Sequence, residues 1–315
     1  MIKSILISIS CIMLNTSILF SMSPVETIFP VDIGSYWTYT DQDRNELIRT
    51  VSEDKEIDDK KYKSFEYQPE LSDDLDLQPL LHTTLFSIDN TKVVYKLSNE
   101  LEIAIKNRIK KELDIYSQLA ESSFQEIYPP DSGITLDVKF EIDIKPEKEL
   151  LLFDILVPVR KEWVVNTTEI KIKIIQDIQG LPDFGNEIDN PESVITLKIT
   201  QTAIKLGHEN VVTTAGEFDR CIKIEYKTKT EVKSDNILTP ELKAGETVTT
   251  IWFAAHVGIV KIHQETYKTF LNIFAESEMI KKTKLDIDTN EIISPTVTTL
   301  ELKKYKIESA HMEQE

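Results

Sequence analysis

The side chains that could do chemistry in this 315-residue chain are few and scattered. Its five histidines are His82, His208, His256, His263 and His311. No two of them stand at the His-x-His or His-Glu-x-x-His spacing that puts two imidazoles on one metal. His256 and His263 fall in one hairpin, so they are the pair that folding could bring to a shared site. No Gly-x-Ser-x-Gly elbow presents a nucleophilic serine. Cys221 sits in an alternating stretch and reads as a thiol packed on a strand. The acidic runs Asp73-Asp74-Leu75-Asp76 and Asp286–Glu291 offer the oxygen ligands calcium takes. They lack the spaced loop with a central glycine and a distal glutamate, so they read as solvated loops. Asn166-Thr-Thr fits a glycosylation acceptor. The expectation is no catalytic residue, no metal and no cofactor.

Bulk properties narrow the partners. The formal net charge of -18 disfavours nucleic acid and electrostatic docking on anionic lipid. The first 23 residues have one lysine, an apolar and hydroxyl-rich run, and small residues at Ser21 and Ser23. That is the pattern of a secretory signal peptide. Ser8-Ile9-Ser10 before Cys11 is a poor lipobox, so lipoprotein anchoring at Cys11 is not expected. No later run is apolar enough for a transmembrane helix. The mature chain is therefore expected in the periplasm or outside the cell. Loss of Cys11 with the leader would leave Cys221 with no disulfide partner.

The elements that would position any site are strands. In "ITLDVKFEIDIKP", Leu136, Val138, Phe140, Ile142 and Ile144 share one face and charged residues the other. After Cys221, Ile222, Ile224, Tyr226, Thr228, Thr230 and Val232 share a face in the same way. Ten to twelve such strands with short connections predict an all-β, antiparallel curved sheet, a half-barrel or sandwich. Residues 99–121 break the pattern. Leu101, Ile105, Ile109, Leu113, Tyr116 and Leu119 recur at steps of three or four behind a capping Asn99, which predicts one inserted amphipathic helix. Residues 309–315 read as a frayed tail.

Two openings resemble each other. "FPVDIGSYWTYT" begins at Phe29 and "LVPVRKEWVVNT" at Leu156. Pro30 matches Pro158, and Trp37 matches Trp163 with a one-residue slip, which suggests two related β units at about 24–150 and 151–308. Proline before the turn removes a donor the ladder does not need, and tryptophan anchors the strand that follows. In "TTAGEFDRCIKIEY", Gly216 reverses the chain and Phe218 caps the apolar end of the sheet. In "TTIWFAAHVGIVKI", Trp252 opens a hairpin that bends at Gly258.

Taken in order, these segments resemble a group of exported bacterial proteins of unknown function. Shared features are the Pro-x-x-x-Gly-x-x-Trp opening with Pro30, Gly34 and Trp37, the turn-strand with Gly216, Phe218 and Cys221, and the Trp252–Gly258 hairpin. The sheets are similar to DUF3108-type and lipoprotein-carrier-like half-barrels. The chain departs from that pattern at Arg160-Lys161, where a glycine-containing turn is usual. The resemblance implies no catalytic residues.

The function expected is a non-enzymatic envelope protein. It would bind an apolar ligand, a lipid or acyl chain, on the concave face, with the helix as a lid. The alternative is a structural or protein-interaction module of the envelope, its apolar faces filled by its own side chains. A hydrolase ranks third and would need a convergent histidine-carboxylate pair.

Overall fold

The computed structural model describes residues 24–69, 85–96, 99–145, 147–180, 192–234, 246–266 and 296–308. The leader, Cys11, His82, His311, both acidic runs and the 309–315 tail lie outside them.

Thirteen antiparallel strands form one open sheet. They are β1 (Tyr36–Thr40), β2 (Glu46–Ile57), β3 (Lys60–Gln68), β4 (Leu85–Ile88), β5 (Lys92–Lys96), β6 (Thr135–Lys145), β7 (Glu149–Asp154), β8 (Glu162–Gln179), β9 (Glu192–Thr213), β10 (Gly216–Ser234), β11 (Glu246–Ala254), β12 (Gly258–Thr266) and β13 (Thr296–Lys306). The order across the sheet is β6-β8-β9-β10-β11-β12-β13-β1-β2-β3-β4-β5-β7. The last strand thus lies between β12 and the first strand. A short helix, α1 (Pro24–Ile28), precedes β1, and a long one, α2 (Asn99–Ile127), separates β5 from β6.

Helix α2 runs six residues past the end expected at residue 121, because nothing breaks it before Pro129-Pro130. Phe124 and Tyr128 stack at 4.9 Å over that added turn. The side chains of Leu101, Ile105, Tyr116 and Leu119 lie outside the described set. Leu113 is buried, and it packs with Ile109 and Ala120 on β6, β8 and β9.

Twist curls the sheet until edge strand β7 lies over β8–β10. The Tyr226 hydroxyl donates to the Leu152 carbonyl at 2.9 Å, and the Trp163 indole to Leu151 at 3.3 Å. Phe153 on β7 meets Phe253 on β11 at 5.8 Å. Inside the roll, Trp37, Tyr39, Tyr95, Tyr226, Phe65, Phe86 and Phe253 are fully buried. From α1 and its end, Val25 and Phe29 fill the same core. The far halves of β8, β9 and β10 project beyond the roll. There a second, aliphatic cluster forms under α2 from Val138, Ile170, Ile172, Ile174, Ile195 and Leu197.

The two similar openings fold alike. In each, a four-residue turn leads into a strand whose tryptophan is buried. Ser35 N–H donates to Asp32 O at 3.1 Å, and Lys161 N–H to Pro158 O at 3.1 Å. The third residue of each turn has positive φ: Gly34 at 88° and Arg160 at 65°. Its N–H then reaches the next strand, Gly34 to Val51 O on β2 and Arg160 to Lys205 O on β9. Arginine replaces glycine without changing the turn, since this residue is exposed and only the left-handed backbone has to be tolerated. Gly258 is more constrained. Its φ is 90°, and an added Cβ would sit 3.2 Å from Pro30 Cδ and 3.8 Å from the Trp37 indole nitrogen. Gly258→Ala is expected to cost about 1–3 kcal/mol, and Arg160→Gly to change stability by less than about 1 kcal/mol. Urea unfolding of the two variants checks this; equal costs would remove the distinction.

Candidate functional site

The inner face of the curled sheet carries the side chains with the most unusual environments. Register places them in rows across the strands. Ile224, Ile251, Ile262 and Leu300 make one apolar row. Trp163, Ala203, Tyr226, Thr249 and Gln264 make the next. Beyond it runs a polar row: Asn166, Gln201, Thr228, Thr247, Thr266 and Thr296. A mixed row of Thr168, Ile199 and Thr230 follows, and the face then turns aliphatic, with Ile144, Ile170, Leu197 and Val232 in register and Ile142, Ile172 and Ile195 beyond. The polar row therefore separates an aromatic interior from an aliphatic extension covered by α2.

A bulge in β8 between Val164 and Asn166 sets this arrangement. Val165 and Trp163 both stay in the aromatic core, and Asn166 comes opposite Gln201. Gln201 is 7% exposed and Tyr95 0%. The Tyr95 hydroxyl, Asn166 Oδ1 and Gln201 Oε1 are buried with no protein hydrogen-bond partner. The Asn166 side chain lies within loose hydrogen-bonding reach of the Tyr95 hydroxyl, and Tyr226 lies near Tyr95 on the opposite wall. Further along, Thr249 Oγ1 donates to Gln264 Oε1 at 3.2 Å and Gln264 Nε2 to Thr266 Oγ1 at 3.3 Å.

At the closed end, Arg49 is 3% exposed and sits among aromatic rings. Its guanidinium carbon is 3.9 Å from the Phe65 ring centroid, 5.0 Å from Phe29, 5.4 Å from Trp37 and 5.5 Å from Phe86. Nε and Nη2 have no hydrogen-bond partner. The negative ring faces take over part of the solvation that water would give. Lys205, on β9, donates to the Ile155 and Val157 carbonyls at 3.1 and 2.8 Å. Burial pulls its pKa below the ordinary lysine value.

The tyrosines are held neutral. Burial raises the pKa of Tyr39, Tyr67, Tyr95 and Tyr226 above 10. Tyr39 donates to Ile259 O at 3.0 Å, and the Leu152 carbonyl likewise needs the Tyr226 proton.

The residues singled out in the sequence are scaffold in this geometry. Trp37 donates its indole N–H to Val257 O at 2.6 Å, which docks the β11–β12 hairpin onto β1. Pro30, Trp37 and Gly258 meet there, with Gly34 in the turn before β1. Pro158 is exposed, and Trp163 lies across the sheet against β7. Gly216 follows the two-residue turn between β9 and β10, and Ala215 N–H donates to Leu302 O. A bulge at Asp219-Arg220 puts Phe218 and Cys221, three apart, on the same buried side. Cys221 is fully buried, its thiol donates to Phe218 O at 3.4 Å, and burial raises its pKa. Trp252 packs on the outer face, between Lys223 and Lys261 at 5.0 and 5.9 Å, with its indole N–H on Glu209.

The histidine pair does not converge. His256 is exposed in the hairpin turn, while His263 lies farther along β12, opposite Thr250. His263 contacts Thr299 Oγ1 at 2.9 Å and Glu265 Oε1 at 3.0 Å. Among the described residues, no three histidine, cysteine or acidic side chains form a cluster able to hold a metal. Among them too, no helix is long and apolar enough to cross a membrane.

No protein-family model matches the chain, and no curated protein matches it. Among solved structures, it is similar to a Bacteroides fragilis protein described as exported with a YmcC-like fold. That match has 13% identity, covers 89% of this chain and 99% of that one, and has a TM-score of 0.34. It is also similar to a Parabacteroides distasonis protein described as a lipoprotein, at 15% identity, 89% and 98% coverage and a TM-score of 0.33. At such scores neither likeness bears on function, and the DUF3108-type resemblance gains no support.

Two outcomes follow. Arg49→Lys should cost about 3 kcal/mol or more, since the compact, strongly hydrated ammonium cannot spread over four rings. Arg49→Met should lie within about 1 kcal/mol of wild type in urea unfolding; a large loss there would mean that the charge itself is required. The four tyrosines have folded pKa values raised above the unfolded value of about 10. Their contribution is complete below pH 10 and lost as pH rises through and above it. Unfolding free energy should fall by up to about 1.4 kcal/mol per pH unit for each tyrosine from pH 10 upward. A flat profile from pH 9 to 11.5 would contradict this.

Proposed function

We propose that this chain is an exported, non-enzymatic envelope protein that holds an acyl chain on the inner face of its sheet, under α2. The observation that carries the reading is the aliphatic extension. Its inner face is built of isoleucine, leucine and valine, and its cover is one amphipathic helix. A helix is about 10–12 Å wide, and strands are spaced about 4.8 Å apart. One helix therefore shields about two of the strands β6, β8, β9 and β10. Ile142, Ile144, Ile199 and Val232 are only partly buried. Export rests on the leader-like first 23 residues. The non-enzymatic reading is supported by the buried, hydrogen-bonded Cys221 thiol, while the His263–Glu265 pair keeps a hydrolase as the third reading.

The aromatic part of the inner face is filled by its own side chains, so the acyl tail belongs to the extension rather than to the roll. That filling also favours the second reading, a structural or interaction module, if the extension takes up no ligand. Native mass spectrometry of protein purified from a bacterial periplasm should show bound acyl lipid that organic extraction releases. Leu113→Asp, which puts a carboxylate under the helix, should abolish that adduct while β1–β5 and β11–β13 stay folded. A clean apoprotein mass, with no uptake of added laurate or monolauroylglycerol, would sink the acyl-chain reading.

A further inference from the structure

The polar row contains donors and acceptors that the protein leaves unused, and they lie where the aromatic and aliphatic parts of the inner face meet. Gln201 Oε1 and Asn166 Oδ1 stand side by side on paired strands, and the Tyr95 hydroxyl faces Asn166 from across the roll. Burying an amide oxygen without a donor is costly, so this cluster is a binding surface in search of hydrogen-bond donors. The buried hydroxyls of Thr38, Ser52 and Ser64 also lack partners, but they alternate with inward residues and so sit on the other face of the sheet.

We infer that Tyr95, Asn166 and Gln201 form the head-group site of the acyl ligand, and that the head group is neutral and hydroxyl-bearing, as in a monoacylglycerol. The inference rests on the acyl-chain reading above and adds the chemistry of the head. Two amide oxygens accept the two hydroxyl protons of a glycerol monoester. The Tyr95 O–H donates to one of its oxygens. A carboxylate fits poorly, because of the three orphaned atoms two are amide oxygens that repel it and only the Tyr95 hydroxyl can donate to it. Lys205, a buried cation on the same strand as Gln201, is already engaged by the Ile155 and Val157 carbonyls. A site that hydrogen-bonds a hydroxyl discriminates strongly against a ligand that leaves its polar groups unpaired. The position also suits the tail, since the aliphatic rows under α2 begin at Leu197, one mixed row (Thr168, Ile199 and Thr230) past Gln201.

The test compares 1-monolauroylglycerol with laurate at pH 8, each below its micelle concentration, by calorimetric titration of the full mature chain. Wild type should bind the glycerol ester at least tenfold tighter. Tyr95→Phe and Gln201→Met should each bring the ratio below threefold, chiefly by weakening the glycerol ester. Both variants remove unpartnered polar atoms, so their urea midpoints should equal or exceed that of wild type. Should one of them fail to fold, the other reads the same ratio. Equal affinities in wild type, or a ratio untouched by both variants, overturn the head-group assignment while the acyl-chain reading stands. Binding of neither probe overturns the acyl-chain reading and this assignment together.

Discussion

An open sheet of thirteen strands has two edges, and the structure depends on how one of them, β7, is buried. A buried carbonyl without a donor costs about as much as a lost hydrogen bond. Among the described residues no further strand supplies the donors. Side chains from the opposite wall do so: Tyr226 to Leu152, Trp163 to Leu151, and Lys205 to Ile155 and Val157 just beyond. The sheet can therefore roll over itself without closing its ladder into a barrel. Each donor is fixed in kind by this task. Tyr226 must keep its proton, and burial raises its pKa in the direction that keeps it. The other edge, β6, stays outside, where Asp137, Lys139, Glu141, Asp143 and Lys145 alternate along it. Charges on an exposed edge discourage pairing with another chain.

The roll also explains the helix. It encloses only part of β8, β9 and β10, which are 18, 22 and 19 residues long. Their far halves keep an apolar inner face with no opposite wall. The insertion between β5 and β6 supplies α2 at that place, with Leu113 driven into the isoleucine cluster and Ser117 hydrogen-bonded to Val138 O. The polar row lies at the border between the two coverings. Side chains there meet neither the aromatic wall nor the helix in full, which is a position that threonine and carboxamide side chains tolerate better than isoleucine.

Much of this was legible in the sequence, because period two is a local signal. Alternation marked β6 and β10, spacing of three and four marked α2, and the two tryptophan openings announced two similar turns. What was hidden depends on distant pairing. Nothing local says that β13 lies between β12 and β1, and nothing in Arg160 announces a left-handed turn residue. Arg49 was readable but overlooked. In "NELIRTV" it alternates in phase with Leu47 and Val51, so period two already puts it on the inner face. Gln201 and Thr228 follow the same rule. A polar residue at an inward position is the signal that an alternation count passes over when it looks only for apolar residues.

Several of the reactive groups among the described residues are engaged by the fold itself. The Cys221 thiol is spent on Phe218 O, Lys205 on two carbonyls, Glu209 on Lys223 and Trp252, and His263 touches Thr299 and Glu265. The Cys221, Lys205 and Glu209 contacts serve the sheet and take a thiol, a cation and a carboxylate out of use, whereas His263 stays half-exposed between a carboxylate and a hydroxyl. Arg49 has unused donors, but four aromatic rings surround it and leave no room for a reacting group. The remaining hydrogen-bonding capacity on the inner face is in Tyr95, Asn166 and Gln201, which are neutral at physiological pH. Neutral groups with weak acidity make poor general acids and bases, whereas their fixed directions suit recognition. On the reading proposed above, such groups set beside an aliphatic surface would receive an uncharged amphiphile.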